Sequence, residues 1–183
     1  MSNTVVAKSS QEDLSYWKLR GICIILSTAL ILASYLVGYS MDLPLTHARE
    51  IVRDYSAYVD ALKDLQNIDF RAFRFFLDSY ATMLACNAPF LGPIFSAYVA
   101  YSSGMLNKAC LIVGEQAASR NWNFPGFLDY LEWITFVIAT SEGVLLTYLS
   151  ATRRKMVLRE TLLSLILQAS LTFLAASIFS TSI

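Results

Sequence analysis

Two glutamates stand ten residues apart in one apolar stretch of this 183-residue chain, Glu132 and Glu142. A carboxyl group in hydrocarbon costs about 2.5 kcal/mol or more if it stays ionised and exposed, so each should face the interior of a helix bundle. Glu142 lies 12 residues into Leu131–Ser150 and belongs near the bilayer middle. Ten residues of helix separate the two carboxyls by about 15 Å along the axis and roughly 80° around it, so they cannot form one paired-carboxylate site. Glu142 could carry protons or substrate as a relay, or lock two helices together. The structural alternative is a protonated glutamic acid hydrogen-bonded to a Ser, Thr or Tyr of another helix. Gly143 beside it leaves room for that helix. Asp129, three residues before Glu132, adds an acidic patch at the outer rim, which reads as an ordinary interfacial face rather than a metal site.

Other chemistry is hard to find. H-E-x-x-H, G-x-S-x-G and P-loop patterns are missing. Ser102-Ser103-Gly104 has the look of an intramembrane serine nucleophile, but the single histidine, His47, falls outside the membrane and cannot serve as its base. Asp78 and Asp129 lack the flanking residues of an intramembrane aspartyl protease. One histidine also excludes bis-histidine haem within one copy, and no cofactor is expected. Cys23, Cys86 and Cys110 show no C-x-x-C spacing and read as buried apolar thiols. A non-enzymatic role follows.

The elements that hold these residues come from composition. Hydrophobic residues make up 56% of the chain and charged ones 15%, against about 25% charged in a soluble domain. Mean hydropathy is +0.50. Fourteen basic residues balance fourteen acidic ones, so nucleic acid is not an expected partner. The class is an all-α integral membrane protein. Gly21–Met41 is an uncharged run long enough to span, too long for a signal-peptide core and without a following A-x-A site, and so reads as a retained anchor. Thr161–Ile183 is a second such run. Between them, Ser79–Asn107 is free of charge but broken by Asn87-Ala-Pro-Phe-Leu-Gly-Pro93.

Charge sets the expected topology. Lys8, Lys18 and Arg20 precede the first run, and Arg153, Arg154, Lys155 and Arg159 precede the last, so both flanks should be cytoplasmic. The broken stretch must then leave from and return to the outer side. Five spans result, at about 21–41, 71–88, 92–113, 127–150 and 161–183, with the amino terminus inside, the carboxyl terminus outside and Pro89 and Pro93 at an inner turn. A three-span arrangement with a re-entrant hairpin is the alternative. Residues 1–20 form a cytoplasmic tail. Outside, about 46–66 should be an amphipathic helix, with Ile51, Val52, Tyr55, Tyr58, Val59, Leu62 and Leu65 on one face. Packing on its own bundle is the first expectation for that face; headgroups or a partner protein are the others.

In the third span, Gly92, Ser96, Ala100 and Gly104 recur every four residues. Such a stripe lets a second backbone approach closely, which is the main packing device available in lipid. Contact within the bundle is expected ahead of contact with another protein.

The order of features resembles the stage II sporulation protein M family, especially its short archaeal and bacterial relatives outside spore formers. The likeness covers about residues 20–183. It rests on Asn87–Phe95, Tyr98–Gly104, Phe127–Glu132 and Ser141-Glu142-Gly143, with Pro89, Gly92, Gly104, Glu132, Glu142 and Gly143 at the emphasised positions. Asn123-Phe-Pro-Gly126 lacks the histidine often found before the first glutamate, and Ser102-Ser103-Gly104 stands where Asn-Thr-Gly is common. In spore formers the family member is a membrane scaffold for cell-wall hydrolases. The resemblance implies five spans and membership of a complex. The expected function is therefore a multi-pass subunit or scaffold of a larger assembly in the cell membrane, with other integral membrane proteins or copies of itself, and lipid, as partners. A permease-like subunit using the broken helix pair and Glu142, and an accessory subunit of a respiratory complex, are the alternatives.

Overall fold

Long apolar runs without interior prolines leave the backbone one economical way to satisfy its own hydrogen bonds, which is the α-helix. The computed structural model describes residues 2–65, 67–114, 127–154 and 158–182. These form six helices and no strand: α1 (Ser2–Ser40), α2 (Leu45–Lys63), α3 (Ile68–Cys86), α4 (Leu91–Val113), α5 (Phe127–Ala151) and α6 (Leu158–Ser182).

Three of them contain stretches long and apolar enough to cross a membrane, Tyr16–Ser40, Tyr130–Ala151 and Leu158–Thr181. The chain accordingly reads as a membrane protein. Helices α3 and α4 fall short of that apolarity among the described residues. The first carries Asp69, Arg71, Arg74 and Asp78, and the second is diluted by serines, Asn107 and Lys108. The expected cytoplasmic tail is not a separate element, because α1 starts at Ser2. No glycine or proline precedes Gly21 to stop it.

Contacts along the helices define the bundle. Tyr35 meets Asn107 and Lys108 lies over the Tyr39 ring, so α1 and α4 run parallel. Cys23 packs on Leu145 and Leu149 while Tyr35 meets Trp133, so α5 runs antiparallel to α1. Phe75 stacks on Phe179 with ring centroids 4.2 Å apart, and Asn87 bonds Gln168, which sets α6 antiparallel to α3. Ile31, Met83, Cys86, Ala100, Phe136 and Ala139 fill the centre. One end of the bundle therefore gathers the α3–α4 and α5–α6 turns, and the other is covered by α2. Ala48, Val52, Val59 and Leu62 of α2 are buried, Ala48 and Val52 against Ala109 and Leu62 against Phe75. Its charged residues, from His47 to Asp64, face outward.

Two close approaches set the helix spacing. A side chain at Gly38 would collide with the Tyr101 carbonyl, and one at Gly104 with the Tyr35 carbonyl, so α1 and α4 touch backbone to backbone. Farther along, Gly92 of α4 and Gly143 of α5 both press on the carbonyl oxygen of Cys86 at the end of α3. The turn that follows is narrower than the seven-residue break suggested. It comprises Asn87 to Phe90; Pro93 already lies in the first turn of α4, where its missing N–H is not needed. Phe90 adopts φ 65° and ψ −48°, with Leu91 N donating to Pro89 O at 2.8 Å. This is the strained form of the γ-turn, and the Phe90 N–H is held at 2.7 Å by the Thr147 hydroxyl.

Replacing Gly104 by leucine should lower stability by about 2 kcal/mol or more, since rigid backbone rather than a movable side chain blocks the new atoms. Gly21 has open space around it in the interior of α1, and Gly21→Ala should hold stability or raise it by up to about 1 kcal/mol. Thermal unfolding of both variants in detergent checks the pair.

Candidate functional site

Arg20 lies on α1 four residues after Tyr16, and Glu142 lies on α5 nine residues before its end at Ala151. Antiparallel packing brings the two to the same level. Arg20 Nη2 donates to Glu142 Oε2 at 2.6 Å, across side chains that are 16% and 2% exposed. Glu160 of α6 stands 3.7 Å from Arg20 Nη1, and the Tyr16 and Trp17 rings flank the guanidinium at about 6 Å. One cation thus ties α1, α5 and the start of α6. The partner of Glu142 is this arginine, where a hydroxyl was the structural expectation. Among the described residues, Glu142 Oε1 and the Tyr16 hydroxyl are buried without hydrogen-bond partners.

A second polar layer lies deeper. Asn87 and Gln168 exchange amide hydrogen bonds of 2.7 and 3.2 Å, and Gln168 also reaches Ser164. Thr140 donates to Ser96 at 2.9 Å. With Gly92 and Gly143 against the Cys86 carbonyl, this layer leaves little free space between the ion pair and the bundle centre.

Beyond the centre the helices part. A cavity of about 870 Å³ is lined by residues of all six helices. Leu32, Met83, Val99, Ala100 and Phe136 form its apolar floor, and Tyr55, Tyr58 and Val59 of α2 form part of its roof. Asp78 lines it from α3 and Glu132 from α5. Tyr58 donates to Asp78 Oδ2 at 3.3 Å, and Arg74 Nε donates to the same oxygen at 3.1 Å. Partial withdrawal from water, then the Asp78 carboxylate, push the Tyr58 hydroxyl up to about 12, so it stays protonated and donating at any physiological pH. Tyr35 accepts from the Asn107 amide at 2.8 Å, also on the cavity wall. Among the described residues, no group of three or more His, Cys, Asp or Glu is placed to hold a metal ion.

The two glutamates therefore occupy different environments: Glu132 lines the cavity, and Glu142 lies in the ion pair at the opposite end. The side chain of Asp129 and the Asn123–Gly126 turn lie outside the described residues. The small-residue row of α4 is buried within the bundle, but against three helices rather than one. Gly92 meets α3, Ser96 meets α5 and Gly104 meets α1, as a row that drifts around the helix must. Pro89 is exposed in the turn and Pro93 is half-buried.

Sequence reasoning passed over Arg20, the Asn87–Gln168 pair and Gly38. Arg20 was placed in the tail because the first uncharged run begins one residue later, yet a charge at a span's edge can turn inward when a counter-charge waits there. Gln168 did carry a signal, as the one amide side chain in the last apolar run.

Arg20→Met should destabilise the protein by about 3 kcal/mol, because it strands a buried carboxylate. Adding Glu142→Gln should recover most of that loss. Thermal unfolding of the two single variants and the double variant measures the coupling; additive losses would mean the pair contributes nothing as a pair.

No protein-family model matches the chain, and neither a curated protein nor a solved structure is significantly similar to it.

Proposed function

We propose that the chain is a five-span, permease-like membrane protein that admits a small molecule into the cavity beneath α2 and is closed at its other end by the Arg20–Glu142 pair. The observation that carries this is the cavity itself. At about 870 Å³ it lies within the roughly 300–1,000 Å³ of small-molecule sites. All six helices meet there, as in transporters whose site lies where helices are broken or diverge. The opposite half of the bundle holds the Gly92 and Gly143 contacts on the Cys86 carbonyl, the paired amides and the buried ion pair, which supports access from the α2 side.

The surface of α3 and α4 supports five spans. Both are nearly as long as the membrane needs, at 19 and 23 residues, or about 29 and 35 Å. They lie alongside the three apolar helices and turn Phe73, Leu77, Leu84, Leu91, Ile94 and Tyr98 outward. Water would penalise that surface and lipid accepts it. Arg153, Arg154 and Arg159 lie at the closed end with Arg20, which makes that end cytoplasmic under the positive-inside rule. The cavity then opens outward.

A second reading keeps the chain as a subunit or scaffold of a larger membrane assembly. It draws on the outer face of α2, where Arg49, Glu50, Arg53, Asp54, Asp60 and Lys63 are all exposed and mixed in sign. A stoichiometric partner crosslinked to Lys63 in native membranes would favour it; the small-residue row of α4 is already occupied inside the bundle.

The transport reading predicts sidedness. With the three cysteines replaced by alanine, Ser103→Cys on the cavity wall should react with a membrane-impermeant maleimide added to intact cells. Thr152→Cys at the α5–α6 turn should react only after permeabilisation. The reverse pattern would overturn the orientation, and protection of Ser103→Cys from both sides would overturn the open cavity.

A further inference from the structure

The cavity has a second edge besides the one under α2. Helices α3 and α4 leave their shared turn in contact: Gly92 presses on the Cys86 carbonyl, and Met83 and Ala100 belong to one buried apolar cluster. Among the described residues, the buried apolar contact between the two helices ends at that pair. Continuing antiparallel, the next level brings Ser79 of α3 opposite Ser103 of α4. Both line the cavity, and Ser103 is exposed. The seam between the helices is thus bordered by two small side chains where larger ones would close it.

Depth decides what lies outside the seam. Ser103 stands about 18 Å from the start of α4 at Leu91, by the 1.5 Å rise per residue, which is mid-bilayer in the five-span arrangement. Leu77 of α3 and Tyr98 of α4, 45% and 65% exposed, flank it on the outer surface. The medium at that level is acyl chain. Inside, Met83, Val99, Ala100 and Phe136 present an apolar wall. A water molecule there would lack the two to four polar partners it needs, whereas hydrocarbon passes from lipid to this wall without desolvating anything polar.

From this placement we infer that the seam between α3 and α4 is a lateral portal through which the cavity takes the acyl chain of a membrane lipid. The polar end of that lipid stays towards α2, where Tyr58, Tyr130 and Trp133 line the cavity as amphipathic rings do at a membrane interface. The chain is held by apolar fit, so no net charge on the wall enters. This rests on the reading of the cavity as a ligand site and names its ligand class.

Trp133 on the cavity wall reports the occupant, because bromine on an acyl chain quenches tryptophan only at close range. Trp17 and Trp122 are replaced by phenylalanine, and the full-length protein is placed in nanodiscs of phosphatidylcholine with or without brominated chains. Trp133 should be quenched in the brominated discs. Ser103→Phe, which fills the seam, should abolish that quenching, and Ser79→Phe should do the same from the other side. Tyr98→Trp, with Trp133 also replaced by phenylalanine, is the lipid-facing standard; its quenching should be equal with and without Ser103→Phe.

Unquenched Trp133 beside a quenched Tyr98→Trp would overturn the inference, and needs no seam variant to fold. So would undiminished Trp133 quenching in both seam variants when their thermal transitions match that of the parent. If Trp133 is unquenched while Ser103→Cys still labels from outside, the lipid is removed and the outward cavity stands. If Trp133 is quenched while Ser103→Cys is protected from both sides, the lipid site stands and the transport reading falls.

Discussion

The bundle depends on backbone meeting backbone. In lipid the apolar surface of one helix gains nothing by leaving hydrocarbon for another helix, so association must come from dispersion, hydrogen bonds and close fit. Here the fit is obtained where glycines remove the Cβ. Gly38 and Gly104 let α1 and α4 lie in contact at the Tyr35 and Tyr101 carbonyls, and Gly92 and Gly143 close on the single carbonyl of Cys86. At such distances Cα–H groups can donate weakly to carbonyl oxygens, a second-order gain that repeats at each crossing. These contacts fix where α1, α4 and α5 stand relative to α3, and everything polar in the interior is registered against them.

Close backbone packing occurs at both levels of the bundle, and the cavity lies beside it at one end. Away from the Cys86 carbonyl, towards α2, side chains of all six helices enclose the cavity. Polar groups are distributed to match. The packed half holds the Asn87–Gln168 amides and the Arg20–Glu142 pair, although Glu142 Oε1 and the Tyr16 hydroxyl beside that pair have no hydrogen-bond partner among the described residues. The open half holds acids and phenols on a wall that can meet water or a ligand. A buried ion pair is weak grounds for claiming stability, because desolvation offsets its attraction. Its role here is better seen as specificity: Arg20 can reach both Glu142 and Glu160 in only one register of α1 against α5 and α6.

The amphipathic α2 covers the cavity end of the bundle. Its apolar side is buried on α3 and α4, while Tyr58 links it to Asp78, and Arg71 of α3 donates to the carbonyls of Lys63 and Leu65. The roof of the cavity is therefore held by polar contacts at its rim and by ordinary apolar packing elsewhere. Its charged residues stay exposed on the face turned away from the bundle.

Sequence alone was enough for the helical, membrane-embedded character of the chain, because hydropathy and the absence of breakers are local properties summed over about twenty residues. The amphipathic helix α2, the break between α3 and α4 and the close-contact potential of the glycine row were legible for the same reason: spacing on a helix is set by 3.6 residues per turn. The choice of partners was not. Glu142 was recognisable as a costly buried acid, but whether it would meet a hydroxyl or an arginine depends on the rotation and register of α1 against α5. Those two residues are 122 positions apart in the chain. Likewise Asp78 and Glu132, each unremarkable in its own helix, line one cavity only because α3 and α5 pack in the same bundle. Local composition fixes which segments enter the membrane; tertiary packing, which no single segment encodes, decides which of their polar atoms share a space.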